Sequence, residues 1–333
     1  MRLVQSLFFL ALASLFAAGC GEVTSASCSG EDFSTATNIQ QVASEITLPT
    51  AATATQLAFD LDGNGKVDNT LGMLIDTVAQ QAKVDAQGEV ASAISKGDII
   101  VLADVQATDL TNGCGKVSVY LGANPNPAPC TDPANSATCG QHLQGTGTFD
   151  IAANSPKDTS VFGTIKGGRF FLDKGDAPGN FSLELDIIDG QAPIRLDLLG
   201  ARIEITKISP DGITGRIGGA IKSSDLQNTV LPTVVNLVNG VVMTDCMLDA
   251  ANVCQCAADS PGKIIADLFD KDDNCSVSAE ELSTDPIISS LLLPDVDLLD
   301  ASGNFAAPDA DGTLDSLSIA VGFSTKKATF TAP

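Results

Sequence analysis

Apolar and polar residues alternate through the middle of the chain and again near its end. Val117, Val119 and Leu121 alternate with polar residues. So do Phe181, Leu183, Leu185 and Ile187, and then Ile203 and Ile205 between Arg202, Glu204 and Thr206. A period of two with one apolar face predicts antiparallel strands packed on a core. Pro210-Asp211-Gly212 reads as a turn joining two of them. Residues 98–222 are therefore expected to form a β-sandwich or strongly curved sheet. Leu317, Ile319 and Val321, followed by Ala328 and Phe330, predict a closing hairpin on the same sheet within 295–333. Helical spacing takes over elsewhere. Leu71, Leu74, Ile75 and Val78 share one face, as do Val90 and Ile94 before Gly97-Asp98. Leu226, Val230, Val234, Leu237 and Val238 fit another, which Pro232 is expected to shorten or kink. The predicted class is α+β, an antiparallel sandwich or curved sheet. An acidic loop with helices (46–97) precedes it, and a cysteine-rich helical insertion (223–294) interrupts it.

The first residues follow a different logic. Met1-Arg2 leads an apolar run from Leu3 to Ala18, and the small residues Ala17-Ala18-Gly19 stand directly before Cys20. The run is too short for a membrane span and reads as a secretory signal over 1–19. The segment resembles a bacterial lipobox, with Ala17 where that motif usually has Leu. The resemblance implies lipidation at Cys20 and a tether over 20–45. Gly21, in place of an aspartate, implies by the same resemblance the outer membrane. Ordinary cleavage near Gly19 would instead yield a soluble secreted protein. Either way the chain is expected outside the cytoplasm; the lipobox resemblance implies the cell envelope, with the membrane contacted through lipid alone.

Export changes how the cysteines are read. Eight remain after Cys20, and an even number in an oxidising compartment suggests disulfides. Cys130 and Cys139 flank a short polar loop and are expected to pair. Cys254 and Cys256 stand too close to bond to each other, so their partners are sought in Cys246 and Cys275. Cys28 with Cys114 follows by elimination. A zinc site is the competing use, but the spacing lacks paired C-x-x-C units. Charge narrows the partners. Eighteen basic against forty-one acidic residues give −23, which repels nucleic acid and attracts divalent cations. No protein or glycan partner can be named.

Two acidic loops give that charge a chemistry. In residues 270–281, numbering Asp270 as position 1 puts Asp272 at 3, Asn274 at 5, Ser276 at 7, Ser278 at 9 and Glu281 at 12. Calcium takes six to eight oxygens, with a bidentate carboxylate closing the loop. The segment resembles an EF-hand loop over its full twelve residues. That resemblance implies side-chain ligands from Asp270, Asp272, Asn274 and Glu281, a carbonyl from Ser276, and a hydroxyl or bridged water at Ser278. Ile264, Ile265, Leu268 and Phe269 would be the entering helix, and Asp285-Pro286 the start of a new one, so the exiting helix is short. The departure is Cys275 at position 6, where a left-handed turn favours glycine; a disulfide could hold it. The second loop sets Asp60, Asp62, Asn64 and Asp68 at positions 1, 3, 5 and 9, with Lys66 offering its carbonyl and Gly65 at position 6. It resembles degenerate dockerin-type loops, with Leu71 where the closing carboxylate belongs. A turn stabilised by its own Asp and Asn side chains is the plainer reading. Asp309 to Asp315 reads as a turn only.

Together the Asp60-to-Asn69 loop, the Cys130-to-Cys139 loop, the late EF-hand-like loop and the Asp315-to-Ser318 segment resemble a group of uncharacterised bacterial lipoproteins, which carries no activity to transfer. Function is expected to be non-catalytic, with Ca2+ as a structural clamp. The alternatives are an envelope protein without metal and an acidic-pair hydrolase. The chain has one histidine, His142, and lacks G-x-S-x-G and Walker motifs.

Overall fold

The computed structural model describes residues 28–82, 85–157, 159–172, 178–185, 194–308 and 310–332. The predicted signal, Cys20 and residues 21–27 lie outside these, as does Ile187. Strands β1 (Thr37–Thr47), β2 (Val101–Ala107) and β3 (Asn112–Asn126) open the fold; β4 (Gly147–Ile151), β5 (Ser160–Lys166) and β6 (Arg169–Phe171) follow. Then come β7 (Gly179–Leu185), β8 (Ile194–Lys207), β9 (Thr214–Lys222), the short pair β10 (Cys246–Leu248) and β11 (Cys254–Cys256), and finally β12 (Ser316–Thr329).

Eight strands close a barrel in the order β1-β2-β3-β5-β6-β8-β9-β12, every pairing antiparallel, and β12 returns to β1. Two further strands are added to it. β7 pairs with β8, and β4 runs antiparallel to β3 and parallel to β12. This overturns the expected α+β sandwich with a helical insertion. Alternation marks one apolar face but does not say whether a sheet stays open or curls until its edges meet. The tail is likewise one continuous strand, not a hairpin. β1 begins inside the stretch read as tether, because its run of Ser, Thr, Ala and Gln hid the alternating pattern.

Inward positions fill the barrel. Ile39, Val105, Val117, Val161, Ile205, Ile217 and Val321 are each at most 5% exposed. Registers align Ile39 with Val105, Val105 with Val117, and Val117 with Val161, so one apolar layer runs round the wall. Phe170 needs room on this inner face. Gly115 and Gly163 supply it, since a Cβ on either would stand within 3.0 Å of the Phe170 ring. Outward positions carry Glu45, Lys116, Glu204 and Arg216. Glu204 there bridges Arg169 and Arg216, each at 2.7 Å. On the outside, Phe149 of β4 packs with Val42, Leu102, Tyr120 and Phe330 in a second apolar cluster. No helix among the described residues is long and apolar enough to cross a membrane.

One barrel end is closed by tight hairpins. The β5–β6 turn is the two glycines Gly167 and Gly168, both at positive φ, as a two-residue hairpin of this twist requires. Long connections leave from the opposite end. The β1–β2 connection contains α1 (Ala54–Leu57), α2 (Thr70–Ala82) and α3 (Ala86–Lys96). The β9–β12 connection contains α4 (Ser223–Asp225), a π-helical turn (Leu226–Val230), α5 (Leu231–Asp245), α6 (Pro261–Phe269), α7 (Ala279–Thr284) and α8 (Pro286–Leu291). Pro232 is the second residue of α5, and the helical path continues upstream of it through the π turn. There the Leu231 N–H reaches back five residues to the Leu226 carbonyl, so the regular ladder is interrupted just before the proline. Leu71, Leu74, Val90 and Ile94 join the barrel interior in one continuous core with Val242, Ile265, Phe269 and Leu282. The helices therefore plug one mouth, and both acidic loops belong to that end.

The disulfides are Cys28–Cys114, Cys130–Cys139, Cys246–Cys256 and Cys254–Cys275. The first pins the N-terminal strap to β3, and Phe33 of that strap packs on Phe162 at 5.9 Å.

Candidate metal centre

The later loop joins α6 to α7. Ser260 caps α6 by accepting from the Lys263 N–H, Pro261 follows, and the buried Ile265 and Phe269 hold the helix on the core. At the far side Ser278 and Glu281 form a reciprocal capping box that starts α7. α7 ends at Thr284, and Asp285 accepts from the Ile288 N–H to start α8.

Between these caps the loop turns inward. Carboxylate oxygens of Asp270, Asp272 and Glu281 come within 4.8 Å of one another. Asp270 is 7% exposed and accepts from the N–H groups of Asn274 (3.0 Å) and Cys275 (2.8 Å). Asn274 donates its amide to Asp272 at 2.8 Å. Glu281 spans the loop, accepting from the Lys271 N–H at 2.8 Å and from the Ser278 N–H and hydroxyl, each at 2.8 Å. Burial pushes the Asp270 carboxyl above its usual pKa, and Asp272 pushes it the same way, against the two N–H donors. Burial acts upward on Glu281 too, but hydrogen bonds from Ser278, Lys271 and Asp272 hold it below its usual range. The surroundings thus shift these two carboxyls in opposite directions.

Cys275 adopts φ +60°, the left-handed turn that position 6 demands, and its sulfur is bonded to Cys254. The Cys254 N–H also donates to the Asp273 carbonyl at 2.8 Å. A covalent link and a hydrogen bond from β11 therefore hold a conformation that an unconstrained cysteine disfavours by about 1–2 kcal/mol. Cys246, Cys254 and Cys256 lie close together but are all disulfide-bonded, so their sulfurs are committed.

Val277, at position 8, is fully buried. Its N–H donates to the Asn239 side-chain oxygen (2.6 Å), and the Asn239 amide donates to its carbonyl (2.8 Å). Asn239 of α5 was missed by sequence reasoning, and nothing in a helical run of Val, Leu and Asn marks it.

The earlier loop is built alike. Asp60 accepts from Gly65 (3.1 Å), Asp62 from Asn64 (3.1 Å), and Asn64 from Lys66 (2.8 Å); Gly63 and Gly65 take positive φ. Asp60, Asp62 and Asp68 form a second group of oxygens within 4.8 Å. Oδ1 of Asp60 is buried with no hydrogen-bond partner. Asp68 is pushed up to about 6 by burial, with repulsion from Asp62, Asp295 and Asp60, against the Leu61 N–H. Leu71 at position 12 is 5% exposed and belongs to the core, so this loop has no closing carboxylate of its own. Asn69 anchors its end by bonding both backbone groups of Ala320 in β12. Asp295, also missed, reaches the next residue by accepting from the Thr70 hydroxyl at 2.6 Å. The turn before β12 is a scaffold: Asp315 accepts from the N–H groups of Leu298 (3.2 Å) and Leu299 (2.8 Å). His142 is fully buried beside Phe149.

No protein-family description, curated protein or solved structure matches this chain.

Proposed function

We propose that this protein is a non-catalytic, calcium-binding, lipid-anchored protein of the cell envelope. In this reading calcium clamps the helical plug onto the barrel. The supporting observation is the 270–281 loop, where Asp270, Asp272 and Glu281 converge within 4.8 Å around a left-handed Cys275. Asn274, the Ser276 carbonyl and Ser278 complete an all-oxygen set, which suits a hard cation. The 60–68 loop is the second, weaker site, with Asp60, Asp62, Asn64, the Lys66 carbonyl and Asp68 as ligands. Three carboxylates crowded there without a cation repel one another, and a divalent ion would remove that penalty. Outside the cell, where calcium is abundant, dissociation constants of about 10⁻⁴–10⁻³ M suffice for a structural role. Lipidation at Cys20, and with it an outer-membrane position, rests on the sequence motif. The group of lipoproteins that the loops resemble remains part of this proposal. The buried His142 argues against a reachable histidine base.

Calorimetric calcium titration of the purified protein tests the reading. The Glu281→Gln variant is expected to bind at least about tenfold more weakly at the later loop, a loss of roughly 1.4 kcal/mol. Absence of both binding heat and any calcium-dependent rise in melting temperature would sink the proposal and leave an envelope protein without metal.

A further inference from the structure

A groove of about 580 Å³ opens on the plugged side of the barrel, between the π-helical turn with the start of α5 and the helices α7 and α8. That volume falls among small-molecule sites, which run to roughly 300–1,000 Å³. Its floor is apolar. Leu226 is 3% exposed, Leu231 and Leu292 are half-buried, and Leu293 leaves 63% of its surface in water. A π turn widens a helix locally and recurs at binding sites; here it presents Leu226 and Gln227 to the groove.

The polar lining has a definite bias. Three serine hydroxyls line the groove and all three protons are committed. Ser223 donates to the Asp315 carbonyl (2.6 Å), Ser283 to that of Glu280 (3.1 Å) and Ser289 to that of Pro286 (3.3 Å). What these serines still offer is lone pairs. Glu280 adds a carboxylate, and the lining contains no Lys, Arg or His. The sequence between Lys222 and Lys263 carries no basic residue either. An anionic head would meet Glu280 and spent donors, whereas a cationic head would meet acceptors and an opposite charge.

We propose that this groove binds an amphiphile made of an apolar chain and a cationic, donor-bearing head, of the alkylammonium class. The chain lies along Leu226, Leu231 and Leu292 under Leu293, and the head sits at the rim against Glu280. None of these residues is a ligand of the proposed calcium loops, although Glu280 and Ser283 stand on α7, whose capping box is made by Ser278 and Glu281.

Titration of decylamine below its micelle-forming range, with decanoate as the anionic counterpart, tests this. Saturable decylamine binding is expected, with decanoate much weaker. Glu280→Gln should weaken decylamine about tenfold. Filling the groove through Ser283→Phe, or through the exposed Gln227→Phe if the first variant folds poorly, should abolish saturable binding. Equal affinity for decanoate would overturn the cationic preference. Decylamine binding unchanged in Glu280→Gln and in the groove-filling variant would place it on the diffuse acidic surface and overturn the site.

Discussion

Cys275 illustrates how a residue unsuited to its backbone conformation is held there by chemistry from elsewhere. Cutting the link with Cys254→Ser removes a cross-link between residues 21 apart, worth about 3 kcal/mol, and leaves a lone cysteine in the left-handed turn. Calcium affinity should fall in that variant. The double change Cys254→Ser with Cys275→Gly should recover most of it, because glycine adopts φ +60° without a partner. Titration of both variants decides the point, and equal affinities would mean the disulfide does not shape the loop. His142 makes a second prediction at this scale. Burial drives its pKa below 6.5, only partly offset by the Ile94 backbone. The unfolded chain therefore takes up this proton first as pH falls, and the stability that the neutral imidazole contributes declines as pH drops below about 6.5. Asp68, pushed up to about 6, takes up its proton first in the folded chain and acts the other way over this range. The expected result is therefore a difference: from pH 7.5 to 5 the melting temperature of the wild type should fall relative to that of His142→Gln. Curves of identical slope would discount the buried imidazole.

At the scale of elements, both acidic loops are fastened by an asparagine that bonds the two backbone groups of one distant residue. Asn239 does this for Val277, and Asn69 for Ala320. Asn239→Leu would strand the N–H and C=O of a fully buried residue, at a cost of about 2–4 kcal/mol. A lower urea midpoint and weaker calcium binding should appear together in that variant. An unchanged midpoint would show that water replaces the amide. α7 needs similar help. Six residues are too few to hold a helix alone, and the capping box with the buried Leu282 supplies what length does not.

The molecule as a whole is organised by where its long connections leave. Tight hairpins at one end and two long inserts at the other put the plug, both acidic loops and the groove around a single mouth. Closure through β1 and β12 also removes the exposed edges that an open sheet would carry. Amides at the centre of β1 are therefore expected to resist hydrogen exchange as strongly as those of β8 and β9. Fast exchange confined to β1 would indicate an open seam. Glu45 and Lys326 are exposed on the outer wall, which also carries the apolar cluster around Phe149.

The acidic loops were legible because their information is local. Twelve consecutive residues carry the spacing of the acidic side chains, the awkward position 6 and the cap of α7, and a turn of that length depends little on distant parts. The strands of the middle and the short helices were legible for the same reason, since period two and period 3.6 are properties of a few neighbouring residues. Spacing and elimination gave Cys130–Cys139 and Cys28–Cys114 and limited the partners of Cys254 and Cys256 to Cys246 and Cys275. Which took which was decided by the β10–β11 pairing that sets Cys246 opposite Cys256. What only the tertiary structure decided is where distant segments meet. β1 looked like a tether because Gln41, a core position that accepts from the Thr325 hydroxyl 284 residues away, is polar. Its role exists only once β12 lies beside it. Asn239 against Val277, and Asp295 against the end of the early loop, are likewise contacts between segments with no mutual signature. Pattern specifies which face of a strand is buried. Which strand lies next to it, and whether the last one returns to the first, is set by the packing of the whole interior at once.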